Sequence, residues 1–189
     1  YVYQARMLNP SAAANAQIGF VYQFQDASTY YEVVFSPRGV AQLRRVQGGV
    51  VTVEKTAAYL QGGPNLWFDV ELHRRGTQTT VRVNGNTVFL NAEQADLAGG
   101  LLGLVTHNTT GRFENVDEKG PYRTQPVCET FDDPFSFAQI TDQGGPSEVV
   151  SGAYIIDSDA IPTATSLTGL SPENTSRWTL RDFGLRADL

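Results

Sequence analysis

GFVYQFQDASTYYEVVF, Gly19 to Phe35, is the stretch on which the fold turns. Ile18, Phe20, Tyr22 and Phe24 alternate with smaller or polar residues, the period-two spacing of a half-buried strand. Asp26-Ala27-Ser28-Thr29 then breaks the run with side chains that cap a turn through their own backbone. Tyr30 to Phe35 resumes extended structure, with Tyr31, Val33 and Phe35 on one face and Tyr30, Glu32 and Val34 on the other. Two strands with so large an aromatic load predict a hairpin in the middle of a sheet.

Outward from this hairpin the same texture repeats. Tyr1 to Leu8 opens as a strand, with Tyr1, Tyr3, Ala5 and Met7 on one face. Ser36-Pro37-Arg38-Gly39 is a turn, Val40 to Val46 a strand, and Gln47-Gly48-Gly49 turns the chain into the short β-branched run Val50 to Val53. Leu66 to Arg74 alternates cleanly, placing Trp67, Asp69, Glu71 and His73 opposite Leu66, Phe68, Val70 and Leu72. Asn84-Gly85-Asn86 is a strong hairpin signal between Thr79–Val83 and Thr87–Leu90. Asn91 to Leu97 reads as a loop or one helical turn, and Leu101–Val105 and Arg112–Val116 as further strands. Nowhere does an amphipathic helix emerge, so the expected class is an all-β sandwich or barrel.

Composition narrows the function. The chain has 189 residues, 41% hydrophobic, enough for one full-sized core. A formal net charge of -6 argues against nucleic acid, which needs clustered Lys and Arg. The basic pairs Arg44-Arg45 and Arg74-Arg75 lie inside strands and read as solvated positions. Cys128 is the single cysteine, which rules out an intrachain disulfide framework and a cysteine-based zinc site. No apolar run is long enough to span a bilayer as a helix. The first residue is Tyr1 rather than Met, which leads us to expect a processed or excised product or one piece of a longer polypeptide.

Taken in order, YVYQARM, GFVYQFQDASTYYEVVF, AQLRRVQGG, LWFDVELHRRG, VRVNGNTVF, GGLLGLVT and RFENV resemble a concanavalin A-like (laminin-G-like) jelly-roll domain of bacterial surface or carbohydrate-active type. The resemblance implies an antiparallel jelly-roll β-sandwich over residues 1–117. Residues 118–127, with Gly120, Pro121 and Pro126, read as a linker. Phe183-Gly-Leu-Arg-Ala-Asp-Leu189 repeats the pattern of Tyr1-Val-Tyr-Gln-Ala-Arg-Met7. Residues 128–189 therefore look like the opening strands of a second copy. They would complete this jelly roll as a circular permutation, or a neighbouring one by strand exchange.

Two functional classes follow, and the strand pattern repeated at the two ends of the chain favours the first. One is a non-catalytic structural or adhesive module, a repeat of a secreted or cell-surface, filament-like protein whose partners are other copies of itself. The other is a carbohydrate-binding module of a larger extracellular enzyme or lectin. The resembling family includes endoglucanases with a Glu-x-Asp-x-x-Glu strand, and that spacing is absent here, so no enzyme activity is expected. Tyr30, Trp67 and Tyr154 are candidate sugar-stacking rings, Tyr30 the best of them, Trp67 reading as structural. Asp132 and Asp133 at a first strand, with Glu114 and Asp117 at a last one, would bring hard oxygens together for Ca²⁺ if those strands are neighbours. The acceptor sequons at Asn108 and Asn174 read as polar loops.

Overall fold

In the computed structural model the described residues are 1–60, 62–97 and 100–119, together with strands at 127–129, 139–143, 147–150, 153–157 and 164–169. In chain order the strands are β1 (Val2–Leu8), β2 (Gln17–Asp26), β3 (Thr29–Ser36), β4 (Val40–Gln47), β5 (Val50–Ala58), β6 (Trp67–Arg75), β7 (Gln78–Val83) and β8 (Asn86–Glu93). They continue with β9 (Leu101–His107), β10 (Thr110–Lys119), β11 (Val127–Glu129), β12 (Gln139–Gln143), β13 (Ser147–Val150), β14 (Ala153–Asp157) and β15 (Ala164–Gly169). Two antiparallel sheets form the sandwich. One runs β13-β14-β10-β1-β6-β7-β8, with β11 also on β10, and the other β12-β15-β9-β2-β3-β4-β5.

The hairpin at Gly19–Phe35 is indeed the middle of its sheet, with β9 on one side and β4 on the other. Its inward residues Phe20, Tyr22, Tyr31, Val33 and Phe35 meet Tyr3, Met7, Phe68, Val70 and Leu72 of the opposite sheet in one buried core. The rings interlock: Tyr3 lies 4.4 Å from Phe20 and Phe35 lies 5.7 Å from Phe68, centroid to centroid. β1 is as central as β2, paired without interruption with β6 and, with a register shift between Gln4 and Arg6, with β10. Beyond β10 and β9, the later strands β14 and β15 extend both sheets within the same chain.

Simple alternation fails at Gln23. This residue takes a left-handed conformation (φ 49°), and the ladders to β3 and β9 both shift there. One extra residue flips the side-chain sequence to the other face. Phe24, expected beside Tyr22, instead joins Val21, Tyr30, Val34, Val46 and Val105 in a second cluster on the outer face of the sheet.

The bulge also serves the interior. Gln23 Oε1 accepts from Arg74 Nη2 (3.3 Å), while Arg74 Nη1 donates to Thr79 Oγ1 (2.8 Å) and Thr77 O (3.1 Å). Tyr22 donates its hydroxyl to Gln94 Oε1 (2.6 Å), and Gln94 Nε2 donates to Glu54 Oε2 (2.7 Å). Burial pushes the Tyr22 hydroxyl well above the ordinary phenol range, so it stays a donor. This network ties β2 and β5 of one sheet to β6 and β7 of the other. It corrects the expectation that Arg74 is solvated: the residue is only 5% exposed. The strands are also longer than the periodicity implied. β5 continues to Ala58 and β8 to Glu93, into the segment expected to be a loop.

Gly19 leaves no room for a side chain against β3. A Cβ built there would overlap the Val33 carbonyl. Gly19→Ala should therefore cost about 2–3 kcal/mol, read from the urea midpoint, because the overlap can be relieved only by parting the central strands. An unchanged midpoint would contradict this packing.

Candidate functional site

The outer face of the β2-β3-β4-β9 sheet carries a groove of about 320 Å³ lined by Gln17, Ala27, Tyr30, Glu32, Arg44, Val46, Gly49, Val51, His107 and Asn108. It runs with the strands, from the β9–β10 turn at Asn108 towards the hairpin turns at Ala27 and Gly49. The latter two turns are joined by the Gly49 amide donating to Ser28 O (3.1 Å).

The floor holds a buried carboxylate. Glu32 is opposite Arg44 in the β3–β4 ladder, and Arg44 Nη1 donates to Glu32 Oε1 at 3.1 Å. His107 reaches Glu32 Oε2 from β9 at 3.0 Å. His107 stands in the row of Gln17 and Glu32 in the row of Val21, with Gly19 between those rows. No side chain therefore separates the imidazole from the carboxylate. Arg44 also donates through Nη2 to Gln17 Oε1 (2.7 Å) and through Nε to Gln42 Oε1 (2.9 Å). Contrary to the solvated reading of Arg44-Arg45, the Arg44 side chain is 14% exposed.

Glu32 itself is 1% exposed. Burial alone would raise its carboxyl. The His107 hydrogen bond, and the charges of His107 and Arg44, outweigh that and hold the carboxyl below the usual range. Tyr30 completes the wall. Phe24 packs on its ring at 5.6 Å, tilted 33°. Burial, then the neighbouring Glu32, push its hydroxyl up to about 12, so at neutral pH it is an uncharged donor and acceptor.

Of the residues singled out from sequence, Tyr30 lies in this groove. Trp67 is on the other sheet's outer face, with the Arg6 guanidinium 5.3 Å from its ring. Glu71 there takes His73 Nε2 at 2.9 Å and Arg82 at 3.7 Å. Glu114 lies 3.7 Å from Arg6, and Asp117 accepts from Gln4 Nε2 at 3.1 Å, so each is engaged by a neighbour on β1. Asp132 and Asp133 lie outside the described residues, as does the Tyr154 side chain. Among the described residues no group of three or more His, Cys, Asp or Glu side chains is arranged to hold a metal.

From sequence, Arg44 read only as a solvated position and His107 carried no role. A signal for the first existed: with the β3–β4 turn at Pro37-Arg38, the numbers of each paired residue add to 76, which sets Arg44 across from Glu32. For His107 there was none, because its pairing is with a strand ninety residues earlier in the chain.

The sequence matches no family model and no curated protein. Among solved structures it is similar to the carbohydrate-binding module CBM66 from Bacillus subtilis. The TM-score is 0.55 at 14% identity, covering 61% of this chain and 71% of that one. Sheep galectin-11 aligns with TM-score 0.43 at 12% identity, over 51% of this chain and 73% of that one. The shared feature is the fold, a sandwich of two antiparallel sheets.

The Glu32 arrangement has a pH consequence. A carboxyl whose folded pKa is depressed stabilises the fold above its unfolded value and loses that contribution as pH falls through the folded one. Stability should therefore fall on acidification below about 4.5, the ordinary value for the group. Glu32→Gln should cost about 2–3 kcal/mol at pH 7 and flatten that acid limb, both read from urea midpoints across pH 3–7. An acid limb identical to wild type would show that Glu32 is not the group responsible.

Proposed function

We propose that this chain is a non-catalytic glycan-binding module of a secreted or cell-surface protein, and that the Tyr30 groove is its binding site. The observation that carries the reading is the juxtaposition, on a CBM66-like sandwich, of an aromatic wall with a fixed polar floor. A pyranose or furanose ring has an apolar C–H face and a hydroxyl edge. The edge of Tyr30, 9% exposed and backed by Phe24 and Val46, and the exposed Val51 suit the first, while Gln17, Arg44, His107 and the Tyr30 hydroxyl suit the second. Because Glu32 locks Arg44 and His107 in place, little side-chain entropy is lost when a ligand arrives. The same locking argues against Glu32 as a general acid or base. Both its oxygens are already engaged and it is shut away from solvent.

The sequence also fitted a structural repeat joined by shared strands. β5 speaks against strand addition on that side: it is the last strand of its sheet, and its ladder to β4 slips between Leu43 and Arg44. Natural sheets use such bulges to discourage pairing at an edge.

A glycan array probed with the full chain should give hits. Tyr30→Leu should lower affinity for the best of them at least about ten-fold, while Tyr30→Phe keeps most of it. An array without hits, or an unaffected Tyr30→Leu, contradicts the assignment.

A further inference from the structure

The groove's polar floor is one-sided in its hydrogen bonding. Guanidinium groups only donate. Arg44 therefore forces the amide oxygens of Gln17 and Gln42 to face it, Gln17 Oε1 at 2.7 Å and Gln42 Oε1 at 2.9 Å from Nη2 and Nε respectively. The NH₂ of Gln17 is left on the other side of its amide and makes no hydrogen bond within the described residues. Glu32, the one full negative charge lining the groove, has one oxygen taken by Arg44 and the other by His107. Its burial leaves no lone pair for a ligand. Among the groove-lining side chains, the groups left with hydrogen-bonding capacity are the Gln17 NH₂, the second hydrogen on Arg44 Nη1, the Tyr30 hydroxyl and His107 Nδ1. Nδ1 accepts when the ring is neutral and donates when it is protonated.

A neutral sugar edge supplies hydroxyls that donate and accept in equal measure. A floor whose carboxylate and amide oxygens are engaged internally, while the Gln17 NH₂ and an Arg44 N–H are not, fits a ligand group that only accepts. Building on the glycan-binding reading, we infer that the groove takes a sugar bearing a carboxylate, such as a uronic acid, with its acid group over Arg44 and Gln17. Charge is compatible with this. Arg44 offsets the charge of Glu32, so an incoming carboxylate meets a donor-rich surface with no net negative charge. The groups facing His107 are Glu32 and Tyr30 from β3 and Arg44 from β4. The overall charge of -6 repels anions only at long range, and physiological salt screens that beyond about 8 Å. The chain's acidity therefore weakens approach more than it weakens contact.

The test is calorimetric titration of the full chain with tetragalacturonate, its fully methyl-esterified form and a sulfated neutral oligosaccharide. The inference expects the acid to bind about ten-fold or more tightly than the ester. Gln17→Ala should remove most of that difference while still unfolding cooperatively in urea, which shows that the variant is folded. Equal affinity for acid and ester overturns the carboxylate inference and leaves glycan binding standing. Preference for the sulfated compound overturns it in favour of a sulfate ester. Failure of all three, together with an array lacking hits, overturns both readings.

Discussion

A carboxylate removed from water must be compensated by charge and hydrogen bonds, or it takes up a proton. Glu32 imposes that constraint on the outer face of this sandwich. Its compensation comes from two other strands, Arg44 on β4 and His107 on β9, so β3, β4 and β9 must hold a common register around β2. The meeting is possible because Gly19 leaves the space between the rows empty and lets β2 and β3 approach closely. A single missing side chain thus serves both the packing of the central hairpin and the assembly of the polar floor. Replacing such an ion cluster with apolar residues often leaves stability unchanged or improved. Stability alone therefore gives no reason for an ion cluster on this sheet face.

The second buried cation, Arg74, has a different part. It lies between the sheets, and its partners come from β7, from the bulge at Gln23 and from the segment after β8. Together with the Tyr22–Gln94–Glu54 chain it spans the sandwich near its β5 and β8 edges. The bulge links the two clusters. By flipping the alternation of β2 it withdraws Gln23 to hold Arg74 and delivers Phe24 to the outer face, where it supports Tyr30. One irregular residue therefore contributes to both the core and the groove wall.

Much of this architecture was legible in the sequence because it rests on period-two alternation. Tyr3, Phe20, Tyr31, Leu72 and Phe113 announce their burial by spacing alone, and Asn84-Gly85 announces its turn. Tyr30 was identifiable as an outward aromatic for the same reason. The bulge was not legible, since nothing in VYQFQ distinguishes a residue that will adopt a left-handed conformation from its neighbours. Nor were the buried arginines. An Arg inside a polar strand face looks solvated until the register shows which carboxylate or carbonyl stands opposite. His107 is the extreme case, since its significance depends on β9 lying beside β2, a pairing that local pattern does not determine.

The account's central claim is that ligands bind on the outer face of the β9-β2-β3-β4 sheet. Amide chemical-shift mapping of the full chain during titration with its best array glycan tests this most directly. Shifts concentrated at Gln17, Tyr30, Glu32, Arg44, His107 and Asn108 are the predicted result. Shifts centred on Arg6, Trp67 and His73, on the opposite sheet, would contradict it.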